Sequence, residues 1–348
     1  MELVTTLPPD TALRDVPAAV ARIERLGFDT VHVPETVHDS LSVALLALEH
    51  STGLTVRTSM TLAFPRSPMV TAYAAWDLAR FSAGRFQLGV ATQVRGNIVG
   101  RFSVEWSEPA PRLADYIRAL RAIFDSFARG TPLRHEGPHY RFDRLQPYFN
   151  PGPSGVAAPP IWTGGVGRRV CETAGALADG FVTHATNSHP RYLRGETLPA
   201  LAAGASRAGR TDGGPRVVVV SKCVTGAHRE GMVRAREHAR REMAFLYSTP
   251  AYRPTLALLG HEGVGDRLTA LVREQRWDEL PSVLTDRVLA ELIPQGDYGE
   301  LPTVLRDWYG GLCHGLAIGQ PDDDRDDPAF ARMLASVREL DTATAPAE

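Results

Sequence analysis

The sequence predicts an α/β fold in which eight parallel strands and their crossover helices close into a (β/α)8 barrel, the TIM barrel. An insertion follows strand four and extra helices precede strand eight. Short apolar runs alternate with stretches of helical periodicity, and this alternation occurs eight times at roughly even spacing. Parallel strands need crossover helices. The count of eight favours a closed barrel over the alternative, a doubly wound open sheet.

Each strand is predicted from a short apolar run that ends at a Gly, a Pro or a polar cluster. The seventh is continuously apolar at its start, as expected of a strand that is buried on both faces. The predicted strands are 2–7, 30–34, 54–63, 86–91, 160–165, 179–185, 216–225 and 312–318.

The segments between the strands have apolar residues at helical spacing. Residues 135–160 are rich in Gly, Pro, His and Tyr, with a short hairpin near 139–142. We expect this insertion to lie over the barrel mouth, because its aromatic residues need packing. The chain is predicted to be one domain, 1–348, with a disordered tail at 342–348. The predicted helices are 10–26, 41–51, 68–84, 112–127, 168–176, 190–208, 228–292 with several breaks, 298–309 and 328–340.

The composition excludes several classes of protein. A chain of 348 residues with 43% hydrophobic and 22% charged residues can bury a large core. Its formal net charge of −2 offers no basic field, so we expect neither nucleic acid nor a membrane as a partner. Cys171, Cys223 and Cys313 form no CxxC pair, no charged leader is recognised, and no apolar run reaches membrane-spanning length. We therefore expect a cytoplasmic protein with reduced cysteines.

Polar residues follow several of the predicted strands. In a barrel the carboxyl ends of all strands open on one mouth, where the loops carry the chemistry. We expect these side chains to form a site there; the alternative is a set of ordinary solvated loops. They are Glu35 and His38 after strand two, Thr92, Gln93, Arg95 and Asn97 after strand four, His184 at the end of strand six and Lys222 in strand seven.

A glycine-rich turn follows the fifth strand, and its residues are Gly164, Gly165, Val166, Gly167 and Arg168. Bare backbone amides, the positive end of a helix dipole and an arginine together favour a bound phosphate group. The turn lacks the GK[ST] of a Walker A loop and does not match the dinucleotide fingerprint GxGxxG. The alternative is a tight turn that needs glycine only for its backbone conformation.

His38, with Glu35 and Asp39 beside it, is either an acid–base group or half of a metal site. A catalytic metal usually needs three protein ligands, and His184 is the only other obvious histidine at a strand end, so we do not predict a metal. His38 is predicted either to hydrogen-bond a substrate or cofactor or to cap a helix. Lys222, the only lysine of the chain, either neutralises a phosphate or carboxylate of a ligand or pairs with a carboxylate of the protein.

Five segments spread over nearly the whole chain carry a resemblance to a known family. The most specific one spans 58–93 and ends in SAGRFQLGVATQ. The other four are GFDTVHVPETVHD at 27–39, RLADYIRALRAIF at 112–124, EGPHYRF at 136–142 and GGVGRRVCETAGALADGF at 164–181. Together they resemble the bacterial luciferase-like family of flavin- and deazaflavin-dependent oxidoreductases. A further segment at 277–289, WDELPSVLTDRVL, resembles the subgroup that depends on the deazaflavin coenzyme F420.

The resemblance implies a TIM barrel with a flavin or deazaflavin ring in its mouth, and a homodimer. It implies that the cofactor's phosphate group is bound at 164–168, which agrees with the prediction from the glycine-rich turn. It also implies a bulge in strand three, with a non-proline cis peptide near Ser59–Met60 behind the ring. Ser59, Met60 and Thr92, together with residues 164–168, are therefore the predicted cofactor-binding residues.

Two departures from the family pattern restrict the reaction. The family's sugar-phosphate dehydrogenases have an acid just after strand four, where this chain has Val94. They have an aspartate and a histidine at the end of strand two, where it has Glu35 and Thr36. We therefore do not expect sugar-phosphate oxidation by their mechanism. His38, Glu35 and Gln93 are the predicted catalytic residues, and Arg95, Asn97, His184 and Lys222 are predicted to bind substrate; His184 and a group on the substrate are the other candidate proton donors.

Three functions remain as hypotheses. The first is hydride transfer between coenzyme F420 and a small organic substrate. The second is monooxygenation with O2 and reduced FMN that a partner flavin reductase supplies. The third is a non-catalytic barrel subunit or binding protein. Oxygen reactivity separates the first two, because a deazaflavin does not activate oxygen well.

Overall fold

The computed structural model describes residues 1–343, in which eight parallel strands close into a barrel and confirm the predicted fold class. Each strand pairs with the next along the chain, and the last pairs with the first, with Glu2 opposite Gly315. The strands are β1 (Glu2–Thr6), β2 (Thr30–Val33), β3 (Thr55–Thr58 and Thr61–Leu62), β4 (Phe86–Ala91), β5 (Ile161–Gly164), β6 (Gly180–Val182), β7 (Arg216–Val220) and β8 (Gly315–Ala317).

Helices separate the strands and cover the outside of the barrel. Helix Val16–Leu26 illustrates why the sequence forms helices here. The residues that it buries lie at helical spacing, and Gly27 ends the helix in a left-handed conformation. The others are Ser40–Glu49, Pro68–Phe81, Arg95–Gly100, Pro109–Arg129, Arg168–Leu177, Leu198–Arg207, Arg229–Tyr247, Pro254–Leu258, Glu262–Arg273, Leu280–Val283, Asp286–Leu292, Leu301–Tyr309 and Asp327–Arg338, together with a short turn at Pro190–Tyr192.

Three elements differ from the prediction. The strand that the apolar pattern predicted at 54–63 is two short strands on either side of the cis peptide Ser59–Met60, which agrees with the bulge that the family resemblance implied. The polar stretch after β4 contains a short helix, Arg95–Gly100, where none was predicted. The helix predicted at 190–208 contains a π-helical turn at Leu193–Thr197, directly before Pro199 enters the next helix. A proline lacks the N–H that regular helical bonding requires, and the wider turn accommodates that loss.

Residues 229–292, here called the β7–β8 segment, form a helical unit with its own hydrophobic core. Met243, Leu256, Leu268 and Leu289 are fully buried within it, in a cluster separate from the one that lies between the strands and the barrel helices. Its predicted division into several helices is confirmed. The segment therefore packs as a unit beside the barrel.

The insertion packs against the barrel helices Pro68–Phe81 and Pro109–Arg129. Asp115, which is buried, accepts hydrogen bonds from His135 Nε2 at 2.9 Å and from the backbone N–H groups of His139 at 2.7 Å and Tyr140 at 2.9 Å. The two strands of the predicted hairpin, 135–136 and 141–142, are antiparallel. One buried carboxylate therefore holds the hairpin to the barrel.

All three cysteines are free; Cys171 and Cys313 are buried and Cys223 is half-buried. In residues 1–343, no helix combines the length and the apolar character needed to cross a membrane. Most of the predicted tail, 344–348, lies outside the described residues, and before it the Ala343 N–H donates to the Cys313 carbonyl at 2.8 Å.

The inside of the barrel contains an apolar layer. Val4, Trp162, Val182, Val218 and Ala317 form a cluster there, and they come from five different strands. Their neighbours along each strand belong to the outer core, between strands and helices, as the alternation of side chains along a strand requires.

A charged network lies inside the barrel on the amino-terminal side of this layer. The guanidinium of Arg57, only 1% exposed, donates from Nε to Gln87 Oε1 at 2.7 Å and from Nη2 to Glu2 Oε1 at 2.8 Å. Its Nη1 lies 3.0 Å from His32 Nε2, and its Cζ lies 3.5 Å from the centre of the Trp162 ring. Because a guanidinium only donates, His32 Nε2 accepts. Each nitrogen of the guanidinium thus has a partner.

The network moves the pKa values of its members. Burial lowers the pKa of Arg57 to about 10, against the opposing effect of Glu2. Burial alone would raise the pKa of Glu2, but attraction to Arg57 and hydrogen bonds from Thr30 and Arg57 leave it lowered. Burial, and then the charge of Arg57, hold the pKa of His32 well below its usual value of 6.5. At neutral pH the network therefore holds Arg57 charged, Glu2 charged and His32 neutral.

Replacing Arg57 with methionine is expected to lower the free energy of unfolding by about 3 kcal/mol or more, because the buried carboxylate of Glu2 loses its charged partner. Chemical denaturation measures this. Arg14→Met is the matched control: the Arg14 side chain is 89% exposed and its Nε is 4.0 Å from Asp15 Oδ2, so a change within about 0.5 kcal/mol is expected. An Arg57→Met protein as stable as the wild type would contradict the structural importance of the network.

The free energy of unfolding is expected to fall as the pH falls below about 6.5, because the unfolded chain takes up a proton at His32 that the folded protein excludes. Glu2, whose pKa in the folded protein is lowered from 4.5, adds a further loss of unfolding free energy once the pH falls below about 4.5. Urea unfolding between pH 7.5 and 5 checks this. His32→Gln, which still offers Arg57 an acceptor, should show a smaller pH slope, and His50→Gln, at an exposed position, should not. Equal slopes in both variants would count against the assignment.

Candidate active site

Met60 lies between β4 and β5 and contacts the apolar layer inside the barrel. A Cβ added to Gly89 would lie 2.0 Å from the Thr58 carbonyl oxygen and 2.7 Å from Met60 Sδ. A Cβ added to Gly164 would lie 2.7 Å from the Val182 carbonyl oxygen and 3.0 Å from Met60 Cε. Two glycines therefore make room for Met60, and the cis peptide Ser59–Met60 that the resemblance implied is present beside it.

The turn after β5 has the backbone that its glycines predicted. Gly165 and Gly167 have φ values of +152° and +89°, and no side chain caps the helix that begins at Arg168. A Cβ added to Gly165 would lie 3.1 Å from Val170 Cγ1. Arg168 is exposed and donates from Nε to Glu172 Oε1 at 2.9 Å, on its own helix. The uncapped amides and the open space at Gly167 fit the phosphate group of a flavin-type cofactor.

Glu35 has its carboxylate engaged by three protein groups. Oε2 accepts from the backbone N–H of Leu62 at 2.9 Å and from Ser40 Oγ at 3.1 Å, and Oε1 lies 2.7 Å from Arg66. Arg66 also pairs with Asp39. The carboxylate therefore joins the end of β2 to the end of β3, and its charge is already compensated inside the protein.

Gln93 follows β4 in an unusual backbone conformation. Its φ is +58°, which is uncommon for a residue other than glycine. Its Oε1 accepts from the Val94 N–H at 2.8 Å. Thr92, half-buried, precedes it. Such backbone is found at functional sites more often than elsewhere.

The loops after β2 and β4 are joined. Arg101 donates to the Thr36 carbonyl oxygen and follows helix Arg95–Gly100. In that helix Arg95 is exposed and Asn97 is half-buried, and in the loop after β2 His38 is half-buried. The contact joins the two loops that carry these predicted residues.

His184 lies just after β6 and is fixed by its neighbours. Its Nδ1 lies 2.7 Å from Thr186 Oγ1, and its ring stacks on that of Tyr252 with the ring centres 4.2 Å apart. Burial, and then the positive charge of Lys222, lower the pKa of His184 to about 4, partly opposed by Glu242. The imidazole is therefore neutral at neutral pH.

Lys222 forms an ion pair with a carboxylate of the protein, which is the second of the two roles considered for it. Its Nζ lies 2.7 Å from Glu242 Oε1 in the β7–β8 segment, and the two side chains are 36% and 33% exposed. Both residues line a cleft of about 170 Å³ next to the ends of β7 and β8. Since the pair remains accessible to solvent, Lys222 is still available to a ligand.

Sequence reasoning missed three residues near the predicted site: Arg66, Glu242 and Tyr252. Arg66 comes shortly after the strand predicted at 54–63, and a charged residue at a strand's carboxyl end could have been predicted to lie near the site. Glu242 and Tyr252 belong to the β7–β8 segment, whose placement against β6 and β7 depends on tertiary packing, so no local pattern reveals them. Within the described part of the chain, no group of three or more His, Cys, Asp and Glu side chains is arranged to hold a metal ion.

Two curated relatives are similar in sequence, both from Mycobacterium tuberculosis strain ATCC 25618 / H37Rv. An uncharacterised protein is 35% identical over 308 residues, which are 88% of this chain and 89% of the relative. A phthiodiolone/phenolphthiodiolone dimycocerosates ketoreductase is 28% identical over 226 residues, which are 64% of this chain and 57% of the relative.

Solved structures share the fold. The coenzyme F420-dependent tetrahydromethanopterin reductase of Methanopyrus kandleri superposes with a TM-score of 0.76 at 17% identity, covering 98% of each chain. The oxygenating constituent of 3,6-diketocamphane monooxygenase from Pseudomonas putida, solved with FMN, superposes with a TM-score of 0.68 at 12% identity, covering 100% of each chain. The family model described as luciferase-like monooxygenase matches residues 2–312. The chain therefore belongs to the luciferase-like monooxygenase family.

Proposed function

We propose that this protein is an oxidoreductase that transfers a hydride between coenzyme F420 and a small organic substrate at the barrel mouth. The observation that carries the proposal is the pairing of Met60, held between two glycines, with the uncapped glycine turn of β5. Ser59, Met60 and Thr92 are proposed to lie behind the cofactor ring, and Gly164, Gly165, Val166, Gly167 and Arg168 at its phosphate group. When bound, the cofactor accepts or donates the hydride; the protein positions it and excludes water.

The choice of F420 rests on two similarities. Residues 277–289 resemble the F420-dependent subgroup, and the chain shares its fold with an F420-dependent reductase. The similar ketoreductase favours a carbonyl or alcohol as the reacting group. Hydride transfer to a carbonyl carbon also needs a proton on the oxygen, and its reverse releases one.

The proposed roles of the remaining residues follow from their surroundings. His38, half-buried in the loop after β2, is proposed to exchange the proton, with Gln93 beside the reacting groups. Glu35, whose oxygens are occupied by protein donors, is proposed to support the catalytic loop. Arg95, Asn97, His184 and Lys222 are proposed to bind the substrate.

The second candidate is a monooxygenase that uses O2 and reduced FMN from a partner reductase. The shared fold with an FMN-containing monooxygenase supports it. The uncapped amides of the turn suit the phosphate group of either cofactor equally, so cofactor choice and oxygen consumption have to be measured directly.

Purified protein is expected to bind F420 more tightly than FMN, as followed by cofactor fluorescence. Gly165→Asp should weaken binding at least tenfold, because it places a carboxylate where the phosphate group binds and forces a side chain onto a backbone with φ of +152°. Gly155→Asp is the matched control: its φ is +80° and open space surrounds it, in the insertion.

The alternatives have distinct outcomes. If FMN binds more tightly and oxygen is consumed when reduced FMN is supplied, the proposed function changes from F420-dependent hydride transfer to monooxygenation. Binding of neither cofactor would favour a non-catalytic barrel. Equal loss in the two glycine variants would show that the turn has no special role in binding.

We further propose that the protein forms a homodimer through an exposed apolar face. Helix Pro68–Phe81 exposes Val70 at 60% and Phe81 at 51%, and the adjoining insertion exposes Tyr148 at 91% and Phe149 at 55%. The Tyr73 hydroxyl donates to the Phe149 carbonyl at 2.6 Å and so holds the two parts together. Exposed apolar side chains gathered on adjoining elements are the feature on which this proposal rests, because protein–protein interfaces are built on such patches.

Sedimentation is expected to show a dimer, and Tyr148→Asp with Val70→Asp should shift it to monomer. Val233→Asp, at a position 51% exposed in the β7–β8 segment, should leave the dimer intact. A monomeric wild-type protein would remove the proposal of a homodimer.

A further inference from the structure

The two ring nitrogens of His184 have different surroundings, because Thr186 contacts only Nδ1. The Thr186 backbone N–H points at Nδ1 from 3.4 Å, and Thr186 Oγ1 lies 2.7 Å from the same atom. A backbone N–H can only donate, so Nδ1 accepts and the proton of the neutral ring is on Nε2. Nε2–H is thus the free donor of this ring.

The direction of the ring follows from the strand that precedes it. Val182 faces the inside of the barrel, and alternation places His184 on the same face, two residues further toward the mouth. The backbone at His184 is extended, with φ of −86° and ψ of 144°, so the alternation continues to this residue. The ring therefore belongs to the wall of the mouth.

The β7–β8 segment fixes both sides of this arrangement. Tyr252 stacks on the ring at 4.2 Å with 27° between the ring planes. The Thr186 carbonyl oxygen accepts from Tyr247 at 3.2 Å and from Thr255 at 2.6 Å. The turn that binds Nδ1 and the aromatic ring that covers the imidazole thus both depend on the same helical unit.

We propose that Tyr252 is a positioning residue that holds His184 as a fixed neutral donor, with Nε2–H available to an oxygen atom of the substrate. The identity of the acceptor rests on the proposed function; the state of the ring does not. A neutral imidazole donates a hydrogen bond to a carbonyl or hydroxyl oxygen without bringing a proton that titrates near neutral pH, and neutral histidine serves this purpose in other barrels. The charged groups that face the ring are Lys222 and Glu242, whose effects on it oppose each other.

Nitrogen-15 NMR of histidine-labelled, cofactor-free protein tests the proposal. The wild type is expected to show the Nε2–H form of His184 and no protonation above pH 5, with the signal assigned by its loss in His184→Asn. Tyr252→Phe keeps the stacked ring and should preserve both properties. Tyr252→Ala should admit water and raise the titration midpoint by about one pH unit or more, while the Thr186 N–H keeps the proton of the neutral ring on Nε2.

Two further variants keep the test decisive. Tyr252→Leu, which keeps bulk but no aromatic ring, replaces Tyr252→Ala if the latter does not fold. Trp277→Ala is the matched control, because Trp277 is an exposed aromatic of the same segment that lies near Phe245; it should leave His184 unchanged. An Nδ1–H form in the wild type, or an unchanged His184 in both Tyr252→Ala and Tyr252→Leu, would overturn the proposal. Because no cofactor is present, failure of F420 binding does not affect these outcomes.

Discussion

A charged guanidinium inside the barrel is the constraint on which the rest of the interior depends. Barrels of this kind usually fill that space with branched aliphatic side chains. Here Arg57 takes the amino-terminal part, and three acceptors and the face of Trp162 surround it. A buried charge with one partner missing is costly, so Glu2, His32 and Gln87 are required together. Four different strands are thereby held in one register.

The apolar layer next to Arg57 separates the charged network from the mouth. Trp162 belongs to both, since one face of its ring covers Arg57 while the residue is part of the apolar cluster. Gly180 has no room for a side chain beside the same ring, because an added Cβ would lie 2.2 Å from it. The position of Met60 at the mouth thus depends on packing that begins at the opposite end of the barrel.

The sequence was sufficient to predict features that depend on local periodicity. The eight strands, most helices and the glycine turn belong to this group, because a residue's neighbours in sequence determine them. The break in β3 was implied only by the family resemblance and not by the pattern of residues. The helix at Arg95–Gly100 was missed because it depends on contacts between loops, such as that of Arg101 with Thr36. Arg57 looked like an ordinary polar residue in a strand, and only closure of the barrel gives it four partners. Tyr252 reaches His184 through the fold of a separate helical unit, which no spacing rule describes.

The separate core of the β7–β8 segment has a consequence for how the mouth responds to change. A unit with its own buried cluster is of the kind that can open separately from the rest of a protein. Met60 and the glycine turn belong to the barrel, whereas the groups that surround His184 and Lys222 belong to this segment. Sequence drift in the segment can therefore change the surroundings of His184 and Lys222 while the proposed cofactor half of the site retains its geometry. If the proposed function holds, the architecture separates inheritance of the chemistry from diversification of the substrate.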